Sequence, residues 1–276
     1  MPVDAATPVA SWRADLLERL DVEVPGTWND LLSLARRGAV ALPAIPIDSL
    51  MNVYMLWLDE GDVPGASADT IGRRDAGLAA LEALKELIDA CDAACLVRNP
   101  IQTYEAMTQG DAIAYVPFAY GYSNYARPGY ARKALNFGGL VARNATLRST
   151  LGGAGMAISA RCAHPAVAAD FLAWTMSAQV QGGLFSHAGG QPGHRSAWLA
   201  DEPNRIASNY FADTLPTLDD AWVRPRYPGY IEFQDAASLA VHAYLKGEAT
   251  ASATYERMDA LHREAQAAAN VLEGKA

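Results

Sequence analysis

Residues 149–160 read STLGGAGMAISA, and this stretch decides the fold class. Three of its residues between positions 152 and 155 are glycine, and apolar residues follow at alternate positions, Met156 and Ile158. Glycine admits positive φ and the close approach of a ligand or a second backbone. The alternation predicts a strand. A dinucleotide fingerprint needs the strand before its glycines and a helix after them, so this stretch is not a Rossmann loop.

The composition of the whole chain excludes several classes of protein. Its 276 residues are 51% hydrophobic and 19% charged, which is typical of one large globular domain or two modest ones. A net charge of -9 argues against binding to nucleic acid or to an anionic membrane. The sequence contains neither the ~18 consecutive apolar residues of a membrane-spanning helix nor the features of a signal peptide.

Amphipathic helices are predicted along much of the chain. Thr27 is a good N-cap with Asp30 three residues on, and Gly38 ends that helix. Another helix is predicted to begin at His164-Pro165, because proline suits the first helical position. Its core-facing residues are expected to be Val167, Phe171, Leu172 and Trp174.

Strands are predicted between these helices. Residues 39–46 are short, apolar and flanked by proline, which predicts a buried strand, and residues 111–120 predict a second. Together with the strand expected after Gly155, they alternate with the helices and indicate an α/β architecture.

Signatures of catalysis are absent from the sequence. The nearest approach to G-x-S-x-G, at residues 121–125, lacks the second glycine, and the five histidines have no metalloprotease spacing. A glycosidase needs two carboxylates at a defined separation. Carboxylates such as Asp48, Asp59 and Glu60 could pair, and the enzyme alternative would use Asp48 with another carboxylate, but no spacing points to such a pair. No metal or cofactor is predicted.

Three polar or aromatic loops favour a binding site when they are taken together. They are residues 118–125 (FAYGYSNY), 150–153 (TLGG) and 189–195 (GGQPGHR). Each lies at the end of a predicted strand or helix, where α/β proteins tend to bind ligands. Aromatic faces beside amides and hydroxyls suit a sugar or polyol. The alternative is that the tyrosines are half-buried core residues and the glycines only shape turns.

Cys91 and Cys95 are four positions apart, and Cys162 stands alone. A C-x3-C pair without histidines is a poor zinc signature. The spacing leaves two alternatives open, two buried thiols or a small disulfide loop in an oxidising compartment.

The order of several segments resembles a known family. The segments read DLLERLDVEVPGTWNDLL, TLGGAGMAIS, HPAVAADFLAWTMSAQVQ, GGQPGHR and RPRYPGYIEFQDAASLAVHAYLKGEAT. In this order the chain is similar to the extracellular solute-binding proteins of carbohydrate ABC importers (family 1). The resemblance implies a periplasmic-binding-protein fold of the second type, with two lobes that close around a ligand.

The resemblance also implies an organisation and a function. Residues 1–148 would be mainly the second lobe, 149–200 the crossover and a partial first lobe, and 201–276 an irregular segment and helices that pack back on the second lobe. The protein would capture a sugar or polyol outside the cytoplasm, as in a periplasm, and deliver it to an ABC permease without enzymatic activity. The alternatives are a truncated remnant or interaction domain that binds no ligand, and a carbohydrate-active enzyme.

The positions that match cleft-lining segments of the family form the predicted site. They are Asp4, Trp57, Tyr120, Gly121, Tyr122, Asn124, Gly152, Gly153, Gly190, Gln191 and Arg195. By this resemblance Tyr120 or Tyr122 would stack on a sugar ring, and Asp4 and Asn124 would hydrogen-bond its hydroxyls. The extracytoplasmic setting of the family favours the disulfide between the two nearby cysteines.

The chain also departs from the family pattern at its start. Family members begin with a signal peptide and the first elements of the first lobe, whereas Met1 here aligns with the crossing into the second lobe. We therefore expect an incomplete first lobe and the exposure of apolar surface that would pack on its sheet. Parts of Met156, Ile158, Phe171 and Trp174 belong to that surface, and such patches drive association.

Overall fold

The computed structural model describes residues 1–145 and 147–273, so the last residues of the predicted 201–276 segment lie outside it. Its described part contains one small antiparallel sheet with the strand order β2-β1-β3. The strands are β1 (Pro8–Trp12), β2 (Tyr115–Tyr120) and β3 (Asn136–Gly138). Val9 pairs with Ala119, and the β1–β2 register shifts between Val9 and Ser11.

Helices account for most of the remaining regular structure. In chain order they are α1 (Ala14–Leu20), α2 (Trp28–Arg36), α3 (Pro46–Asp59), α4 (Arg74–Asp89), α5 (Pro100–Gln109), α6 (Pro165–Thr175), α7 (Ala178–Val180), α8 (Arg195–Trp198), α9 (Asp201–Ile206), α10 (Tyr210–Asp219), α11 (Tyr230–Leu245) and α12 (Ala251–Glu273). A π-helical turn, Gln181–Phe185, follows α7 directly. Among the described helices, none is long and apolar enough to span a membrane.

The predicted start of α2 is confirmed by its hydrogen bonds. The Asp30 N–H donates to Thr27 Oγ1 at 3.2 Å, and the Thr27 N–H donates to Asp30 Oδ2 at 2.9 Å. This reciprocal capping box satisfies two of the N–H groups that a helix start leaves unpaired. Gly38, at φ 75°, follows the helix in the left-handed conformation that glycine adopts without strain.

A helical layer around α3 forms the core next to the sheet. Nearly every side chain of α3 is buried, and α4 and α11 pack against it. Trp57 is fully buried there, lies against the Tyr255 ring at 5.9 Å between centroids, and donates from Nε1 to Asp62 Oδ2 at 2.8 Å. The predicted place of Trp57 in the ligand cleft is therefore wrong, because the helix turns this side chain into the core.

The predicted strands are only partly present. Residues 39–46 are buried but form a single bridge, from Val40 to Tyr115. Proline cannot donate to a ladder, and Pro43 interrupts this segment, so burial alone does not make it a strand. Of residues 111–120 only the second half is a strand. The strand expected after Gly155 is wrong, because within the described structure only Met156 of residues 156–160 exchanges backbone hydrogen bonds with another segment, at Met1, and no ladder continues beyond it.

The helix α6 begins at Pro165 as predicted, but most of its apolar residues face outwards. The exposed fractions are 68% for Val167, 56% for Phe171 and 49% for Trp174, whereas Leu172 is buried. The prediction that all four face the core is thus wrong. The expectation of an exposed apolar surface is met, because no element of the described residues covers that side of α6.

The fold is a helix-rich mixture with a small sheet and matches the expected periplasmic-binding-protein type. Helix α10 packs on β3, where the Phe137 and Tyr210 rings meet edge to face at 4.9 Å. The division into residues 1–148, 149–200 and 201–276 stays a prediction.

Candidate ligand-binding site

The site is built where separate stretches of the chain cross. Near the N-terminus, Ala6 pairs with Gly152 and Pro2 pairs with Gly155, both antiparallel. The Gly152 N–H donates to the Ala6 carbonyl at 2.8 Å. A third stretch joins them at Gly193, whose N–H donates to the Val3 carbonyl of the N-terminal segment at 3.1 Å. Three segments distant in sequence therefore meet in one place.

Gly153 lets the first two segments approach so closely. Its φ is 141°, and a Cβ there would overlap the carbonyl oxygen of Asp4. Any other residue would be strained in that conformation and would push the segments apart. The glycines of the stretch at 152–155 thus serve the approach of a second backbone, one of the two roles that the sequence indicates for them.

A cavity of about 450 Å³ opens beside this junction, at the end of β2. Its size is in the usual range for small-molecule sites. Eight of the eleven predicted site residues line it, namely Asp4, Tyr120, Gly121, Tyr122, Asn124, Gly153, Gly190 and Gln191. The structure brings these residues together from four stretches of the chain, the N-terminal segment and the three predicted loops, and their contact with a ligand stays a prediction.

Two tyrosines supply most of the aromatic surface. The Tyr120 hydroxyl is hydrogen-bonded to Thr150 Oγ1 at 3.1 Å, and its ring packs against Gly152. Tyr122 leaves 41% of its surface exposed. Burial raises the pKa of both phenols, so both stay neutral near pH 7 and can donate as well as accept. A neutral phenol with an open ring face suits the C–H face and hydroxyls of a sugar.

Gln191 lines the cavity and also holds the site together. Its Oε1 accepts from the Ser123 N–H at 3.0 Å, and its Nε2 donates to the Ala5 and Gly121 carbonyls at 2.9 and 3.2 Å. The side chain is buried, and backbone groups occupy both ends of its amide. Gln191 therefore ties the N-terminal segment to the tyrosine loop and positions the lining residues.

Asn124 and Asp4 offer polar atoms to a ligand. Asn124 Oδ1 is buried and has no hydrogen-bond partner in the described structure, which is costly unless something binds to it. Asp4 is half-buried, and burial raises the pKa of its carboxyl. These groups could accept hydrogen bonds from ligand hydroxyls.

Phe185 is a lining residue that the sequence reasoning missed. It closes the π-helical turn after α7, and its ring lies so near Gly190 that a Cβ there would overlap it. The available signal was the sequence QGGLF, since two glycines inside a helical pattern indicate an irregular turn. Such π-turns are frequent at functional sites.

Two further predicted residues do not line the cavity. Gly152 lies behind the Tyr120 ring, which it accommodates by having no side chain. Arg195 is exposed and ion-paired with Asp219, with 2.8 Å from Nη2 to Oδ2. Arg195 does not line this cavity, because the turn that carries it continues into α8 and its side chain pairs with Asp219 at the end of α10, so its place in a ligand cleft stays a prediction.

Asp48 lies close to the site, in the first turn of α3. It is 6% exposed, and its Oδ2 has no hydrogen-bond partner among the described residues. Burial raises its pKa to about 7. Its charge in turn raises the pKa of Tyr120 and of Tyr122, so the carboxyl lies within electrostatic reach of both phenols. Across residues 1–145 and 147–273, no cluster of histidine, cysteine and carboxylate groups could hold a metal ion.

Cys91 and Cys95 are both free thiols in the structure, as is Cys162. A hydrogen bond from the Cys91 thiol lowers the pKa of Cys95 to about 7, so the two sulfur atoms are neighbours. The disulfide between them stays a prediction.

Sequence comparison gives one clear match. A profile of the bacterial extracellular solute-binding proteins matches residues 1–205. None of the curated protein sequences matches the chain.

Solved structures share the fold at low sequence identity. Maltose-bound MalE3 of T. maritima superposes with a TM-score of 0.82 at 18% identity, over 97% of this chain and 72% of that one. A solute-binding protein of an ABC transporter from Thermotoga lettingae, bound with alpha-D-tagatose, gives 0.81 at 16% identity, over 96% and 72%. One from Agrobacterium radiobacter K84, in complex with ribitol, gives 0.75 at 20% identity, over 99% and 71%.

Proposed function

Because this chain belongs to the bacterial extracellular solute-binding proteins, we propose that it binds a sugar or polyol in the cavity beside Tyr120 and Tyr122. The protein works outside the cytoplasm and delivers this ligand to the permease of an ABC importer. The ligand class comes from the site, whereas the delivery and the location come from the family.

One observation carries the proposal. Two neutral phenols, one with an open ring face, share a cavity with a buried amide oxygen that has no partner, Asn124 Oδ1. A sugar or polyol satisfies both features, because its C–H face packs on an aromatic ring while its hydroxyls donate to the oxygen. A purely apolar ligand would leave Asn124 unsatisfied.

The charge of the lining supports a neutral ligand. The cavity wall includes the carboxyl group of Asp4 but no lysine or arginine side chain among the described residues. An anionic ligand would be repelled by that carboxylate without a compensating cation. The solved structures with this fold include complexes with maltose, tagatose and ribitol, which agree with a neutral polyhydroxylated ligand here.

Alanine at both tyrosines tests the proposal. We expect the 276-residue chain to bind at least one member of a panel of neutral sugars and polyols saturably in calorimetric titrations. The variants Tyr120→Ala and Tyr122→Ala should each weaken that binding about tenfold or more, because an aromatic face and its hydroxyl are lost together. Tyr130→Ala is the matched control, since Tyr130 is exposed and does not line the cavity.

Other results would favour the alternatives. Unchanged affinity in both cavity variants would place the ligand elsewhere. Absence of binding to the whole panel would favour a remnant or interaction domain. Turnover of chromogenic glycosides would instead favour a carbohydrate-active enzyme, with Asp48 as its first candidate carboxyl. For delivery, uptake of the ligand by cells should fall when the gene is deleted and should return with the wild-type gene but not with Tyr122→Ala.

A further inference from the structure

One charged group of the cavity wall has no counterpart. Asp4 brings a single carboxyl to the wall, and no lysine, arginine or histidine side chain of the described residues lines it. Burial raises the pKa of this carboxyl and the N–H of Ala154 lowers it, but no cation of the described structure acts on it. A partly buried carboxylate without a cation is costly, so the wall offers an unused anionic partner to a ligand.

The carboxyl group of Asp4 lies within electrostatic reach of the tyrosine loop, residues 118–125. Burial has the largest effect on the pKa of Tyr122 and of Tyr210, and the charge of Asp4 raises both further. The Tyr210 hydroxyl lies so near Gly121 that a Cβ there would overlap it, so this phenol is close to the same loop. Two phenols from different elements therefore sense the charge of Asp4, as expected for a carboxyl that faces the cavity.

The backbone around Asp4 is fixed on both sides. The N–H groups of Val3 and Asp4 donate to the Ala154 carbonyl at 2.9 and 3.2 Å. On the other side, Gly193 approaches so closely that a Cβ there would lie 3.1 Å from the Asp4 nitrogen. The carboxyl therefore projects from a backbone that is already ordered, and a ligand that binds to it loses little affinity to ordering this segment.

Aromatic rings share the wall with Asp4. They come from Tyr120, Tyr122 and Phe185, and Tyr122 is 41% exposed. The face of an aromatic ring attracts a cation, because the π electrons make that face negative. Aromatic rings beside a carboxylate are thus a combination that recognises an ammonium group, and a neutral hydroxyl uses only part of it.

The surrounding charges favour a cation at Tyr122. The charges of Asp4 and Asp48 both raise the pKa of this phenol, after the larger effect of burial, and no positive group of the described residues opposes them. At Tyr120, where burial again has the largest effect, the charge of Arg224 lowers the pKa and opposes that of Asp48. An ammonium group near the open face of Tyr122 would therefore lie in the more negative part of the cavity.

We propose that the preferred ligand is an amino sugar or amino polyol, whose protonated amine donates to Asp4 while its carbon skeleton packs on Tyr122 and its hydroxyls donate to Asn124 Oδ1. This inference rests on the proposed function, because it names the members of the sugar and polyol class that the same site prefers. A neutral sugar gives Asp4 only hydroxyl donors. A protonated amine adds a second charge to the hydrogen bond, which strengthens it.

The test compares each sugar or polyol with its own amino derivative. Calorimetric titrations of the 276-residue chain at pH 6.5 would pair glucose, galactose and mannose with glucosamine, galactosamine and mannosamine, and sorbitol with 1-amino-1-deoxysorbitol. We expect at least one amine to bind about tenfold more tightly than its parent, as expected for a hydrogen bond between charged groups. The N-acetyl form of that amine should lose the gain, because acetylation removes the charge.

Two variants assign the preference to Asp4. In Asp4→Asn the ratio of amine affinity to parent affinity should fall to about one, because asparagine keeps the size of the side chain but not its charge. Asp69→Asn is the matched control and should keep the ratio, because Asp69 is exposed in the loop between α3 and α4 and does not line the cavity. If Asp4→Asn does not fold, the comparison of the amine with its N-acetyl form still tests the charge in the wild-type chain.

The two proposals fail in different ways. Saturable binding of the parents with no gain for any amine would overturn the preference for an amino group and leave the proposed function standing. A gain that survives in Asp4→Asn, or in the N-acetyl form, would also overturn it, because the amine would then not be held by this carboxylate. If neither the parents nor the amines bind to the chain, the proposed function fails and this inference fails with it.

Discussion

At the scale of single residues, Cys91 and Cys95 show how a local contact tunes reactivity. Cys91 follows the end of α4, and Cys95 is buried in the short turn after it. The Cys91 thiol donates to the Cys95 sulfur and thereby lowers the pKa of Cys95 to about 7. A thiolate that forms near neutral pH beside a second thiol is readily oxidised.

We therefore expect Cys91 and Cys95 to form a disulfide when the chain is kept under oxidising conditions. Intact mass after alkylation, with and without prior reduction, should show one alkylated cysteine in the oxidised sample and three in the reduced one. Cys91→Ser should abolish the difference, whereas Cys162→Ser, the matched control, should keep it. Three alkylated cysteines without reduction would contradict the prediction.

At the scale of elements, two opposing effects act on the pKa of Asp48 in the first turn of α3. A carboxylate is usually stabilised near a helix N-terminus, yet burial raises the pKa of Asp48 from 3.8 to about 7. Desolvation outweighs the helix dipole here, because Oδ2 has no hydrogen-bond partner within the described structure. The buried carboxyl is thus a cost to the fold at neutral pH.

This cost sets the pH dependence of stability. Below pH 3.8 Asp48 is protonated in both the folded and the unfolded chain and carries no penalty. As the pH rises towards 7, the unfolded chain ionises first, so the free energy of unfolding falls by up to about 4 kcal/mol. Asp48→Asn should remove this loss, and its gain in stability over wild type should grow from pH 5 and level off above pH 7.

Urea unfolding between pH 5 and pH 8 measures that gain. Asp213→Asn is the matched control, since Asp213 is also in the first turn of a helix but is exposed. Parallel pH profiles of wild type and Asp48→Asn would show that burial does not raise the pKa of Asp48 as the structure indicates.

At the scale of the whole molecule, one face is left apolar and uncovered. Phe171 and Trp174 stack at 5.7 Å between centroids and are about half exposed, and Val167 and Ile158 extend the patch. Monomeric proteins rarely expose such contiguous apolar patches unless they mark an interaction surface. Burying them against another copy would release free energy in proportion to the apolar area.

We therefore expect the 276-residue chain to associate with itself in solution. Light scattering after gel filtration should give a mass above 29.4 kDa that rises with concentration. Phe171→Ser with Trp174→Ser should shift the chain towards the monomer, whereas Tyr130→Ser, an exposed aromatic residue elsewhere, should not. A monodisperse monomer of the wild-type chain would contradict this expectation.

Some features of this protein were determined by the sequence alone. The start of α2 follows from Thr27 and Asp30, because a capping box acts over three residues. The place of Pro165 at the first turn of α6 is equally local. The loops at 118–125 and 189–195 could be selected as candidate site loops from the sequence, since aromatic, amide and glycine residues cluster in them, and both contribute to the wall of the cavity.

Only the tertiary structure decided the rest. Trp57 and Tyr122 are both aromatic residues in plausible positions, but one is sealed in the core and the other faces the cavity. Arg224 reaches the neighbourhood of Tyr120 only because Leu151 pairs with Trp222 across 71 positions of sequence. Burial and the meeting of distant segments depend on how the whole chain packs, and local patterns in the sequence do not contain that information.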